Sequence, residues 1–192
     1  AYLARHSRHW SMLLLTRLAT LGYAVPGAVL AVGAFIPAAW IDNLLIDFLR
    51  PWLETPPTQI IKGTLFAILV AYMARFLAVG YQPVETALQR ITANQEYAAR
   101  SLGVSGLSLL RRLHLPMLRG GLLTGLLLVF VDVMKEMPIT LMTRPFGWDT
   151  LAIRVFEMTS EGEWQRAALP SVALVLVGLL PVILLMRNSE KS

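Results

Sequence analysis

Gln95–Pro116, QEYAARSLGVSGLSLLRRLHLP, is a basic amphipathic stretch set between long apolar runs. The fold depends on what this stretch connects. Upstream and into it, Val84, Ala87, Leu88, Ile91, Tyr97, Ala98 and Leu102 recur at spacings that suit one face of a helix, with Pro83 in a first turn. Gly103 stands where a helix would end in a left-handed residue, and Ser105 can cap a second helix from Gly106. That second helix, Leu107–Leu113, is expected to stop at Pro116, because proline lacks the N–H that would continue it. The residues therefore predict two short helices joined by a tight elbow. Its small surface residues (Ala98, Ala99, Ser101, Gly103, Gly106) suit insertion into a partner's cleft, but a helix pair lying only on lipid fits equally well.

Outward from the elbow, the chain reads as membrane spans. Hydrophobic residues make up 56% of it and charged residues 15%, against about 25% charged in soluble domains. Leu18–Trp40 carries no charge and is long enough for a hydrocarbon core, which takes about 20 helical residues. Pro26-Gly27 would interrupt it, and Gly22, Ala24, Ala28, Ala31 and Gly33 would let another helix approach closely. Further spans are expected at 60–79, 118–141 and 168–186, the last bending at Pro170, Gly178 and Pro181. Lys62 and Arg75, near the two ends of the second span, are expected to snorkel in opposite directions. Residues 41–59, with the stripe Leu44, Leu45, Phe48, Leu49 and Trp52, would partly lie along the interface, and 142–167 would be a polar connection. The expected fold is an all-α, polytopic transmembrane helical bundle with a two-helix elbow in its central loop, 82–117.

Four spans put the lead-in, the central loop and the tail on one side. That side holds Arg5, Arg8, Arg17, Arg90, Arg100, Arg111, Arg112, Arg119, Arg187 and Lys191; the other holds Arg50, Arg144, Arg154 and Arg166. The excess of Lys and Arg assigns the elbow and both ends to the cytoplasm. The formal net charge of +5 is then mostly topology, and it gives no support to a nucleic-acid partner. With no cysteine, disulfides and thiolate metal sites are excluded. His6, His9 and His114 are too scattered for a metal site, and His114 receives no role. Tyr23 and Tyr81 are taken as interface aromatics rather than ligands. The absence of a phosphate loop, an HExxH and a Gly-x-Ser-x-Gly leaves no catalytic residue and no nucleotide or metal cofactor on this chain.

The elbow resembles the coupling loop of ATP-binding-cassette importer permeases (MetI-like transmembrane domains). Their pattern is Glu-Ala-Ala, three residues, Gly, nine residues, an aliphatic residue, any residue, Leu-Pro. Here it reads Tyr97-Ala98-Ala99, Gly103, Leu113, His114, Leu115-Pro116, with Tyr97 in the place of the glutamate and Glu96 one position earlier. LGYAVPGAVLAVG in the first span and DVMKEMPITLMTRPFGWDTLAIRVFE in the third are similar to the ferric-iron importer permeases; thiamine and phosphonate permeases share much of the pattern. Together with the start at Ala1 and the lack of a signal-peptide pattern, the resemblance implies the C-terminal half of a longer, two-repeat permease of the bacterial inner membrane. It implies that a separate ATPase subunit, acting as a homodimer with ATP and Mg, docks at Glu96, Tyr97, Ala98, Ala99, Arg100, Gly103, Leu113, Leu115 and Pro116, with Arg111 and Arg112 flanking. It also implies a periplasmic binding protein as donor, a second permease half or copy, surrounding lipid, and ferric iron as cargo. A membrane scaffold or channel subunit is the alternative.

Asp132, Lys135 and Glu136 lie deep in the third span, at spacings that put all three on one face of a continuous helix. Ionisable residues at membrane depth point to function by default. The trio is read either as a lining of the translocation path, with carboxylates suited to a hard cation, or as a structural ion pair holding this helix to a neighbour.

Overall fold

The computed structural model describes residues 10–53, 55 and 57–189, and within them every regular element is helical. Arg5, His6, Arg8, His9, Glu54 and Lys191 lie outside the described residues. The elements are α1 (Trp10–Leu21), α2 (Gly27–Leu49), α3 (Leu65–Gln89), α4 (Ala93–Ser101), α5 (Gly106–Met134), α6 (Pro138–Thr143), α7 (Leu151–Ser160) and α8 (Trp164–Ser189). Four of them, α2, α3, α5 and α8, are long and apolar enough to cross a membrane. The expected all-α polytopic bundle is the observed architecture.

α3 is the central element. Its most apolar stretch is 28% buried, against 11% in each of α2, α5 and α8, so most of the apolar surface of the other three faces outward. The tightest packing is between α3 and α5, and glycine makes it possible. A Cβ added at Gly121 would lie 2.7 Å from the Pro83 carbonyl oxygen, and one at Gly125 would lie 2.8 Å from the Gly80 carbonyl oxygen. Gly121 and Gly125 form a small-xxx-small pair that lets two backbones touch where lipid offers no hydrophobic drive for association.

Two of the apolar runs are broken. The run expected at 18–40 divides at Gly22–Pro26 into α1 and α2, with Pro26 as the N-cap of α2. The run expected at 118–141 ends at Met134, and α6 begins after Lys135–Met137. Both breaks lie beside the same part of α3. Gly22 abuts the Ala74 carbonyl, and Glu136 and Thr140 reach Arg75 and Tyr72. Arg75 is ten residues into the 25-residue α3, about 15 Å from its start at 1.5 Å per residue.

Other boundaries also move. The span expected at 60–79 becomes Leu65–Gln89, because Thr64 caps the N-terminus and Pro83 is absorbed inside the helix instead of opening a new one. α2 runs to Leu49 through the expected interfacial stretch, and the 142–167 connection contains α7. The fourth span extends to Trp164–Ser189 with Pro170 and Pro181 inside it. At the end of the bundle away from the elbow, Asp42 is fully buried and accepts the backbone N–H groups of Ile60, Ile61 and Lys62 at 2.5–3.2 Å. One carboxylate thereby closes the α2–α3 connection and satisfies three donors that would otherwise be orphaned.

Candidate functional site

The elbow is built by local chemistry. Thr92 and Gln95 form a capping box: the Gln95 N–H donates to Thr92 Oγ1 (3.4 Å) and the Thr92 N–H to Gln95 Oε1 (2.9 Å). This cap starts α4 afresh after a break at Arg90–Thr92, so the single helix expected from Pro83 to Leu102 is two helices. α4 ends in a Schellman turn, with Val104 N–H donating to Ala99 O (3.0 Å) and Gly103 N–H to Arg100 O (2.9 Å). Gly103 sits at φ +79°, the left-handed conformation expected for it. Helix α5 begins at Gly106 as expected, although the Ser105 side chain makes no capping bond.

Pro116 does not stop this second helix. α5 runs through it to Met134 by way of one π turn, Leu110–His114, in which the Leu115 N–H bonds Leu110 O. The extra residue accommodates a proline that lacks an N–H and whose ring would press on the preceding turn. It also re-phases the helix. Leu109, His114 and Leu118 are all buried although the first two are five residues apart, a spacing that only a π turn brings to one face.

The turn carries His114 inward, fully buried, where its Nε2 lies 3.1 Å from Glu96 Oε1. Its Nδ1 faces Leu109 O at 3.4 Å, so both ring nitrogens have an oxygen neighbour inside the elbow. Glu96 is 7% exposed and also lies 4.0 Å from Arg100. Beneath this pair Leu88, Ile91 and Leu118 pack with Ala87 and Leu113. Glu96 and Leu113, placed on the docking surface by the sequence reading, therefore hold the elbow together from inside. Tyr97, Leu102 and Leu107 point out, at 63%, 83% and 63% exposure. Ala98, Arg100, Gly103, Arg111, Arg112, Leu115 and Pro116 are exposed and Ala99 is half-buried. His114, given no role by the sequence reading, is the residue it missed. The available signal was the acid and the histidine on opposite arms of one elbow.

The second cluster lies at the helix breaks. Arg75 does not snorkel. Its Nε forms an ion pair with Glu136 Oε2 (3.1 Å), and its Nη1 donates to Val25 O (3.4 Å). Gly27 leaves room for the guanidinium, since a Cβ there would lie 2.6 Å from Nη1. Glu136, 5% exposed, also accepts the Ile139 N–H at 3.1 Å and so caps α6. The Thr140 hydroxyl donates to Glu136 O (2.9 Å), which leaves its oxygen to accept from the Tyr72 hydroxyl. Asp132 pairs with Lys135 at 2.8 Å. The expectation that Asp132, Lys135 and Glu136 share one face does not hold, because the helix ends at Met134 and Glu136 turns inward to Arg75. Beyond the breaks, Arg144 bonds Asp149 and Glu157, and Arg154 bonds Asp149, fixing the turn before α7. Among the described residues no group of three His, Cys, Asp or Glu is placed to hold a metal.

Comparison with known proteins agrees with this architecture. Residues 1–191 match the family described as "binding-protein-dependent transport system inner membrane component". A Salmonella typhimurium protein named as a 2-aminoethylphosphonate transport system permease, PhnV, is 34% identical over 130 residues, 68% of this chain and 49% of that protein. The Fe(3+)-transport system permease protein FbpB 2 of Haemophilus influenzae is 28% identical over 187 residues, covering 86% of this chain and 37% of its own. A Haloferax volcanii protein named as a molybdenum ABC transporter permease is 37% identical over 120 residues, 60% of this chain and 42% of that one. The chain thus spans about half the length, or less, of these curated relatives. With four membrane-crossing helices and a match along nearly its whole length, the chain belongs to the binding-protein-dependent inner membrane component family, a family of ABC-transporter permeases.

Proposed function

We propose that this chain is the membrane-spanning part of an ATP-driven importer, and that a separate ATPase subunit docks on the Gln95–Pro116 elbow. The observation that carries the reading is the elbow's construction. Its inside is closed by Glu96, His114 and a small apolar cluster, while Tyr97, Leu102 and Leu107 stand exposed beside Arg100, Arg111 and Arg112. Large apolar side chains on a short, rigid, basic projection suit burial in a protein cleft. The excess of Lys and Arg on this side supports a cytoplasmic elbow. ATP and Mg belong to the ATPase partner, which acts as a homodimer. An extracytoplasmic binding protein delivers the cargo at the other face, and a second permease half or copy completes the pore in the bacterial inner membrane.

The helix layout supplies a transmission path. α5 is continuous for 29 residues through its π turn, so closure of the ATPase dimer moves a single helix that runs from the elbow to the break at Lys135–Met137. Rocking of such a rigid element against its neighbours is a familiar route to alternating access.

The cargo is a small ion. Ferric iron is the cargo in the Haemophilus relative's name and the one the resemblance implies. Of this chain's carboxylates near the breaks, Glu136 is already engaged by Arg75 and by a backbone N–H, and Asp132 by Lys135. The phosphonate and molybdenum named for the other relatives suit the exposed donors described below.

Leu102→Asp is the direct test. It leaves the Gly103 turn intact, whereas a bulky residue at Gly103 would strain the left-handed backbone. The variant should reach wild-type levels in the membrane and lose the ATPase subunit on purification. Retained ATPase together with normal uptake would favour an elbow that contacts lipid alone.

A further inference from the structure

By sequence alone, Tyr23 is an interface aromatic and Lys135 one third of a charged helix face. The fold puts both on exposed surface beside the two helix breaks. Gly22 and Val25, either side of Tyr23, contact Ala74 and Arg75, and Glu136, next to Lys135, pairs with the same Arg75. The breaks therefore meet at one depth, near the middle of α3. We propose that they form a water-lined station on the translocation path, where Lys135 and Tyr23 donate hydrogen bonds to an anionic oxygen of the cargo. This rests on the permease reading and adds a substrate class to it.

Three observations carry it. First, irregular backbone at membrane depth is tolerated only where it is covered by protein or lines a water-filled cavity. Second, the Lys135 side chain is 64% exposed and Tyr23 is 50% exposed, so the surface next to the breaks is open. Lys135 follows directly on the end of α5, next to Glu136, which reaches Arg75 about 15 Å along α3, and a lysine charge facing lipid there would be costly. Third, this surface offers donors. The Asp132 carboxylate is 13% exposed and bonded to Lys135, and that of Glu136 is 6% exposed and bonded to Arg75. An ammonium has three donors and Asp132 occupies one, which leaves two for a cargo oxygen, with the exposed Tyr23 hydroxyl at the other break as a further donor. Hard cations need exposed oxygen ligands, and the carboxylates here are largely covered and already paired. A phosphonate, phosphate or molybdate presents acceptors for the donors that remain.

These 192 residues contain no cysteine, so thiol labelling is a clean probe once any cysteine elsewhere in the permease is replaced by serine. Single cysteines replace Tyr23, Lys135 or Leu126 in the full-length permease in its native membrane, opened so that both faces are accessible. Leu126, 67% exposed on an apolar stretch of α5, is the lipid-side control. A membrane-impermeant thiol reagent should modify Tyr23→Cys and Lys135→Cys at least tenfold faster than Leu126→Cys. Equal rates at all three would overturn the water-lined station. With Lys135 intact, molybdate, phosphate or 2-aminoethylphosphonate should slow modification of Tyr23→Cys, and adding Lys135→Glu should abolish the protection. No protection by any of the three, or protection that survives Lys135→Glu, would overturn the oxyanion contact. Labelling requires no ATPase, so these results are independent of whether Leu102→Asp releases that subunit.

Discussion

Glu96 and Glu136 are both buried carboxylates, 7% and 5% exposed, and each grips a basic side chain from a different helix. Their settings differ. Glu96 lies at the elbow, at the polar end of the bundle, and its partner is a histidine. Glu136 lies beside the middle of α3, and its partner is an arginine, which keeps its charge under all ordinary conditions. A pair of the first kind fixes the angle between two short surface helices. The second kind stitches two broken spans to a third, where either charge alone would be stranded away from water. Buried carboxylates of one residue type thus serve a local joint in one place and the integrity of the bundle in the other.

The largest effect that can break this comparison is at Arg75. Arg75→Ala should cost roughly 3–5 kcal/mol, the range for breaking a buried pair by removing one partner. Thermal unfolding of the purified permease in detergent measures it. The double variant Arg75→Ala with Glu136→Ala should be more stable than the sum of the single losses predicts, and strict additivity would show that the two charges are not coupled.

At the elbow the expected losses are smaller and confined. Glu96→Ala or His114→Ala removes one side of the buried Glu96–His114 contact, at about 1–3 kcal/mol. Amide hydrogen exchange should rise in α4 and in the π turn but not in α3. Global destabilisation that reaches α3 would place Glu96 in the same class as Glu136.

The smallest effect on the fold is at Tyr97, the neighbour of Glu96. Tyr97→Ala removes an outward ring and should change unfolding by no more than about 0.5 kcal/mol, while weakening recovery of the ATPase partner. A loss comparable to that of Glu96→Ala would mean that Tyr97 also packs inside the elbow.

Much of the elbow was legible from sequence, because its signals are local. Gly103 needs a left-handed backbone, and the helix start at Gly106 follows directly on Ser105. The start at Ala93 was hidden, because the apolar spacing from Pro83 continues across the Thr92–Gln95 capping box. Pro116 misled, since a rule about proline in α-helices does not anticipate a π turn that makes room for it. Arg75 misled for a different reason. An arginine near the end of an apolar run reads as snorkelling, and only the return of Glu136 from beyond α5 gives it an internal partner. The trio Asp132, Lys135 and Glu136 share a face only on a continuous helix; the break at Lys135 turns Glu136 to Arg75 and leaves Asp132 with Lys135.

The sequence by itself determined that the chain is a membrane-spanning helical bundle with a basic elbow between its spans. Hydropathy over about 20 residues, the bias of Lys and Arg between loops, and capping chemistry act at short range or sum along the chain, so they can be counted without knowing neighbours. Only the tertiary structure decided that two of the apolar runs are broken at one depth, that Gly121 and Gly125 seat α5 on α3, and that Glu96 faces His114 while Glu136 faces Arg75. Those outcomes depend on which backbone groups and charges find partners across helices. In a medium without water to satisfy them, the partner decides where each buried group lies.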